Sequence, residues 1–83
     1  MLSYRQLEHF VTVAQELHFS RAADKLGVAQ SAVSVQVQQL EQQLGVRLLQ
    51  RNKRKPITLT DAGELLYEEA VAVLRHMERA QQI

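Results

Sequence analysis

A mainly α-helical fold with one small β-hairpin is predicted by three observations. Apolar residues recur at helical spacing in three successive stretches before Gly45. Two short apolar pieces, Leu48-Leu49 and Ile57-Leu59, then flank the basic, proline-bearing run RNKRKP. From Thr60 an amphipathic pattern continues to the chain end, enough for a helix of about 20 residues and roughly 30 Å.

Each element has a local cause. Ser3 followed by Gln6 is a capping-box signature, and Leu7, Phe10, Val11, Ala14 and Leu17 then share one helical face. His9 falls on the polar face of that helix and is expected at the surface. After LHF, Ser20 is expected to cap a short second helix through Ala22, Ala23 and Leu26, where small alanines permit close helix contact. Gly27 ends it, because glycine tolerates positive φ.

The stretch QSAVSVQVQQLEQQLG is ambiguous at first sight. Val33, Val35 and Val37 alternate with Ser34 and Gln36 as in a strand, yet the alternation stops there. A helix instead puts Val33, Val37, Leu40 and Leu44 on one stripe and leaves Val35 exposed, and good helix formers fill the later turns. The third helix is therefore expected from Gln30 to Leu44, closed by Gly45. Ala29 supplies no cap, so Gln30 or Ser31 is expected to substitute.

The hairpin follows, with Pro56 at the edge or entry of its second strand. Thr60 or Asp61 then caps the last helix, whose early Gly63 costs little in a first turn. Leu66, Ala70, Val73, Met77 and Ala80 form a four-three seam of the coiled-coil type, beside a second stripe of Tyr67, Val71 and Leu74. One stripe is expected to face the domain and the other a partner; a single broad core-facing stripe is the alternative. The chain divides into residues 1–60, a compact domain, and 61–83, a dimerisation helix.

Eighty-three residues make one small domain, near the lower limit for a core without staples. No cysteine is present, which excludes disulfides and thiolate metal sites and suits a reducing compartment. No apolar run approaches a membrane span, so a soluble, unexported, cytoplasmic chain is expected. Net charge is only +1, but the charges are unevenly placed: half of the ten basic residues lie between Arg47 and Lys55, with no acid among them.

Three helices, a short turn LGVAQ between the second and third, and a basic hairpin give the order of a winged helix-turn-helix. In that arrangement the third helix enters the DNA major groove while flanking elements grip phosphate. The glutamines then acquire a purpose. Gln pairs bidentately with adenine, Ser bonds either way, and a small apolar group packs on the thymine methyl. Ser31, Ser34, Val35, Gln38 and Gln42 supply that vocabulary on the exposed face. The missing cations come from the hairpin, acting as a wing on phosphates or the minor groove. Taken separately, an exposed Gln-rich face and one basic loop also fit a plain solvated surface.

The run FSRAADKLGVAQSAVSVQVQQLEQQLGVRLLQR followed by LTDAG closely resembles the DNA-binding domain of LysR-type transcriptional regulators, across nearly the whole chain. The resemblance implies a winged helix-turn-helix and a linker helix that pairs antiparallel with its twin, so that a homodimer presents two recognition helices to an interrupted palindrome. It also implies a C-terminal domain for a small-molecule effector, which these residues do not include. Carried over residue by residue, Gln30, Ser31, Ser34, Val35 and Gln38 face bases. Ser20, Arg21 and Gln36 contact backbone or groove, and Arg51, Lys53, Arg54 and Lys55 form the phosphate grip of the wing. Tyr4 and Arg5 are further candidates for phosphate contact.

Three positions depart from the family's usual pattern. Ala29 stands where Ser or Thr is common, which weakens the cap of the recognition helix. Val35 stands where Arg is common, replacing a guanidinium with a small apolar group. Leu49 stands for Phe and changes volume only. A thymine-methyl contact, or none, is expected at Val35.

Catalysis is not expected. His9, His18 and His76 lack ligand spacing, and Glu64, Glu68 and Glu69 sit on a helix with Arg75 and Arg79 as a solvated surface. No cofactor is implied. The rival from another class is a protein-interaction module, a helical dimer whose basic hairpin binds an acidic partner. It would leave the Ser/Gln face indifferent to substitution.

Overall fold

The computed structural model describes residues 1–51 and 56–83. In chain order the elements are α1 (Tyr4–Glu16), α2 (Phe19–Leu26), α3 (Gln30–Leu44), β1 (Leu49–Gln50), β2 (Thr58–Leu59) and α4 (Asp61–Gln81). The two strands pair antiparallel, Leu49 opposite Leu59 and Gln50 opposite Thr58. Four helices and a two-stranded wing are thus the predicted winged helix-turn-helix with its long terminal helix.

The ambiguous stretch is a helix. Val33, Val37 and Leu40 are fully buried, and Val35 is 48% exposed on the opposite side. Leu44, expected on the same stripe, is instead exposed, because the helix ends there at Gly45, whose φ of 71° turns the chain away. Ala29 is the N-cap of α3 and no side chain caps it, so neither Gln30 nor Ser31 substitutes.

α1 lies at the centre. Its capping box is formed as expected: Gln6 N–H donates to Ser3 Oγ at 3.2 Å, and Ser3 N–H to Gln6 Oε1 at 3.0 Å. α2, α3 and α4 all pack on it. Burial therefore extends around most of its circumference and takes in Gln6, His9 and Thr12. This corrects the surface placement of His9, which is 5% exposed and donates from Nδ1 to the Arg5 carbonyl at 2.8 Å. Thr12 donates to the Glu8 carbonyl, and Gln6 Nε2 to Gln43 Oε1 at 2.6 Å. Each buried polar group thus has a partner, as burial demands. Leu17, by contrast, leaves the apolar face: it is the C-cap of α1, at φ 54°, and exposed.

α2 is capped by His18, not by Ser20, which lies inside the first turn. His18 Nδ1 accepts from Arg21 N–H at 3.3 Å. Ala22 and Ala23 are buried, and their small size lets α2 approach its neighbours.

Thr60 caps α4 and ties it to the wing at once. Its Oγ1 accepts from Gly63 N–H at 3.0 Å and donates to the Arg47 carbonyl at 2.6 Å, while its own N–H donates to the Leu48 carbonyl. The expected four-three seam splits. Ala70 is buried in its own domain and is not free for a partner, while Leu66 is half-buried with Tyr67, Val71 and Leu74. Val73, Met77 and Ala80 remain exposed, as does Leu65, at 69%. From Arg75 onward every residue of the chain is exposed.

Candidate nucleic-acid interface

The outward face of α3 carries Ser31, Val35, Gln38 and Gln42, all exposed, with Ser34 and Gln36 half-buried at its two flanks and Gln30 exposed at its start. This is the face the sequence assigned, and its residues come together because the opposite side of the helix is anchored by Val33, Val37 and Leu40. Not every glutamine of α3 belongs to it: the Gln43 side chain bonds Gln6 and the Met1 carbonyl, tying α3 to the N-terminus.

Each flank holds basic residues. On one side an open groove is lined by Ser34, Gln38 and Gln42 of α3 together with Arg47 and Arg51. On the other, Arg5 and Glu8 of α1 line a smaller groove with Ala32 and Gln36. The uncharged Ser/Gln/Val face of α3 therefore lies between cations supplied by its neighbours. Arg21, exposed on the first turn of α2, adds a third. Among the described residues the one ion pair is Lys25 with Glu16 at 3.7 Å, so these arginines are not engaged by carboxylates. Lys53, Arg54 and Lys55, the rest of the expected grip, lie outside the described residues; Arg51 lies within them, with its guanidinium over the Phe19 ring.

Tyr4 and Arg5 separate. Tyr4 lines the groove between α1 and α4 with Glu8, Arg75 and Glu78. The Glu8 carboxylate, with burial and Glu78 as lesser causes, raises the Tyr4 hydroxyl above the ordinary tyrosine pKa. Tyr4 is therefore a neutral donor at any physiological pH.

Three residues with a part in this surface escaped sequence reasoning: Arg47, Phe19 and Glu41. Arg47 had a signal, since it opens the basic run. Glu41 had none. It faces the groove as an acid, a poor choice beside phosphate, yet its Oε2 accepts from Leu48 N–H at 2.8 Å and Leu49 N–H at 3.4 Å. Those two donors compensate its charge, and the bonds fix the start of the wing against α3. Glu41→Ala leaves the Leu48 amide without that partner and is expected to cost about 1–3 kcal/mol, with Glu41→Gln losing less because one acceptor oxygen remains. Urea denaturation of the two variants checks this order.

The histidines do not assemble. His9 is buried in α1, His18 caps α2 and His76 is exposed on α4, and among the described residues no group of three metal-ligating side chains converges. No helix among the described residues is long and apolar enough to cross a membrane.

A small winged helix-turn-helix whose third helix carries no Lys or Arg of its own and is flanked by arginines from its neighbours defines a domain of the DNA-binding regulator class. Residues 4–64 match the family model described as bacterial regulatory helix-turn-helix protein, lysR family, and the chain belongs to that family. It is 49% identical over 80 residues to the probable cat1 operon transcriptional activator of Acinetobacter lwoffii, covering 96% of this chain and 26% of that protein. Among solved structures it is similar to the BenM DNA-binding domain in complex with catB site 1 DNA, with a TM-score of 0.93 and 38% identity over 98% of this chain and 89% of that one. It is also similar to full-length CbnR in complex with its target DNA, with a TM-score of 0.91 and 38% identity over 98% of this chain and 28% of that one. The chain thus spans about a quarter of the length of its full-length relatives.

Proposed function

We propose that this chain is the sequence-reading part of a LysR-type transcriptional regulator, binding double-stranded DNA with α3 in the major groove. The observation that carries the proposal is the arrangement around α3: a face of Ser, Gln and Val exposed between arginines on both flanks. Neutral hydrogen-bonding side chains read base edges, and the flanking cations hold the phosphates on either side of a groove. Gln30, Ser31, Ser34, Val35 and Gln38 take the base-facing role. Ser20, Arg21 and Gln36 take backbone or groove contacts, and Arg51, Lys53, Arg54 and Lys55 the wing's grip, with Arg5 and Arg47 joining them. The likeness to BenM and CbnR, whose structures hold DNA, supports this reading.

Residues 1–60 form the reading domain and 61–83 the linker helix. Two copies pair through that helix on an interrupted palindrome. The exposed apolar residues Leu65, Val73, Met77 and Ala80 support the pairing, since they have no place in the core of one copy. The site of action is the cytoplasm, and any small-molecule effector acts through a domain outside these residues.

The test is fluorescence anisotropy with a labelled AT-rich interrupted palindrome and a scrambled duplex across a salt series. Tighter binding to the palindrome, weakening as salt rises, supports both reading and grip. Equal binding to both calls for selection from a random library, which separates an ill-chosen operator from a helix without specificity. Absence of binding at low salt removes the proposal in favour of the interaction module. At Val35, a substitution to Arg is expected to tighten binding and steepen its salt dependence by about one phosphate equivalent. If titrations of the variant and the unaltered chain coincide, this position does not face DNA.

A further inference from the structure

The Arg51 guanidinium carbon lies 4.4 Å from the centroid of the Phe19 ring. Two elements far apart in sequence meet there. Phe19 opens α2, directly before Ser20 and Arg21, and is 8% exposed, so the core fixes the ring. Arg51 follows β1 and is exposed, lining the same groove as Ser34 and Gln38 of α3. A solvated arginine samples many rotamers and loses that freedom on binding. A ring face within about 6 Å attracts the cation and narrows the choice.

We propose that Phe19 is a positioning residue for DNA binding: its ring holds the Arg51 guanidinium beside α3 and the start of α2, so that a phosphate contact is in place before DNA arrives. The proposal rests on the DNA reading above. The chemistry suits arginine in particular. A guanidinium is planar, with its N–H donors in the plane, so it can lie flat on a ring and still direct an edge at a phosphate. The lysine ammonium has no such edge. The contact with α2 also restrains the base of the wing, adding to the Glu41 and Thr60 hydrogen bonds and to the burial of Leu48 and Leu49 in the core.

The experiment is anisotropy of the 83-residue chain with a random-sequence duplex across a salt series, where phosphate contacts act regardless of operator. Arg51→Ala is expected to lower the slope of log affinity against log salt by about one. Phe19→Leu is expected to weaken binding about threefold at fixed salt, and Phe19→Trp to retain it. In the Arg51→Ala background, Phe19→Leu should add nothing, as two groups acting through one contact require. A loss from Phe19→Leu that is the same with and without Arg51 overturns the proposal, because the ring then acts through the packing of α2. So does an Arg51→Ala variant that binds as the unaltered chain does, a result that leaves the DNA reading standing. Failure of the unaltered chain to bind any duplex is the distinct result that removes both. Because Phe19→Leu can unfold a small domain, proton NMR of the unaltered chain supplies a second measurement. Upfield ring-current shifts of the Arg51 side-chain protons are expected, and ordinary arginine positions overturn the stack.

Discussion

Gly63→Ala is expected to destabilise the domain by about 1–3 kcal/mol, against the usual sign for a helix. At an ordinary interior helix position alanine is better than glycine by up to about 1 kcal/mol. Gly63, however, is buried on the first turn of α4, directly against the backbone of Leu48. An added Cβ would overlap the Leu48 carbonyl oxygen and lie 3.0 Å from its carbonyl carbon and 3.3 Å from its Cα. Backbone cannot rotate aside as a side chain can. Either α4 or the segment entering β1 must move, and the Thr60 and Glu41 bonds hold that segment in place. In a domain this small a melting temperature lower by on the order of 10 °C is the corresponding change. Thermal and urea unfolding of the variant check it. Unchanged or increased stability would show that α4 does not sit against Leu48 in solution.

Neutralising the basic run has the larger effect on binding. With Arg51, Lys53, Arg54 and Lys55 all replaced by serine, the slope of log affinity against log salt is expected to fall by about three to four if each meets one phosphate. At about 0.1 M salt that amounts to roughly three to four orders of magnitude in affinity. Melting should change by little more than the loss of the Arg51–Phe19 contact, on the order of 0.5–1 kcal/mol, because Arg51 is otherwise exposed. A slope that stays as steep would mark the run as a solvated turn and leave the grip to Arg5, Arg21 and Arg47. The quadruple variant and Gly63→Ala thus separate two roles of the wing segment: its charge acts on the ligand, and its packing against α4 on stability.

The periodicity of α3 made its reading face legible, because burial there follows one stripe: a helix packed on one side shows its period directly. The wing was legible from composition, two apolar pieces around a cationic run. The capping box of α1 was legible from two residues three apart. Two misplacements share one cause. His9 was placed at the surface and Ala70 at a partner because a helical period shows one apolar face and cannot show how many neighbours a helix has. α1 is covered by three helices, so a residue off its main stripe is buried and finds its partner in the Arg5 carbonyl. The inner side of α4 takes Leu66 and Ala70 of the intended seam, and leaves Leu65, which no seam included, exposed. Cap assignment failed by smaller margins: His18 accepts the bond expected of Ser20, since an imidazole nitrogen serves as acceptor when geometry brings it to the amide.

The elements, their order, the polar face of α3 and the clustering of charge beyond it each rest on spacing or composition within a few tens of residues, and so could be read along the chain. The tertiary structure alone decided that Arg5 and Arg47 flank α3 from opposite sides, that Glu41 is occupied by wing amides, that Gly63 must lack a side chain, and that Phe19 lies under Arg51. Those relations join residues distant along the chain. Their geometry is set by how four helices and a wing pack into one volume, which no local period encodes.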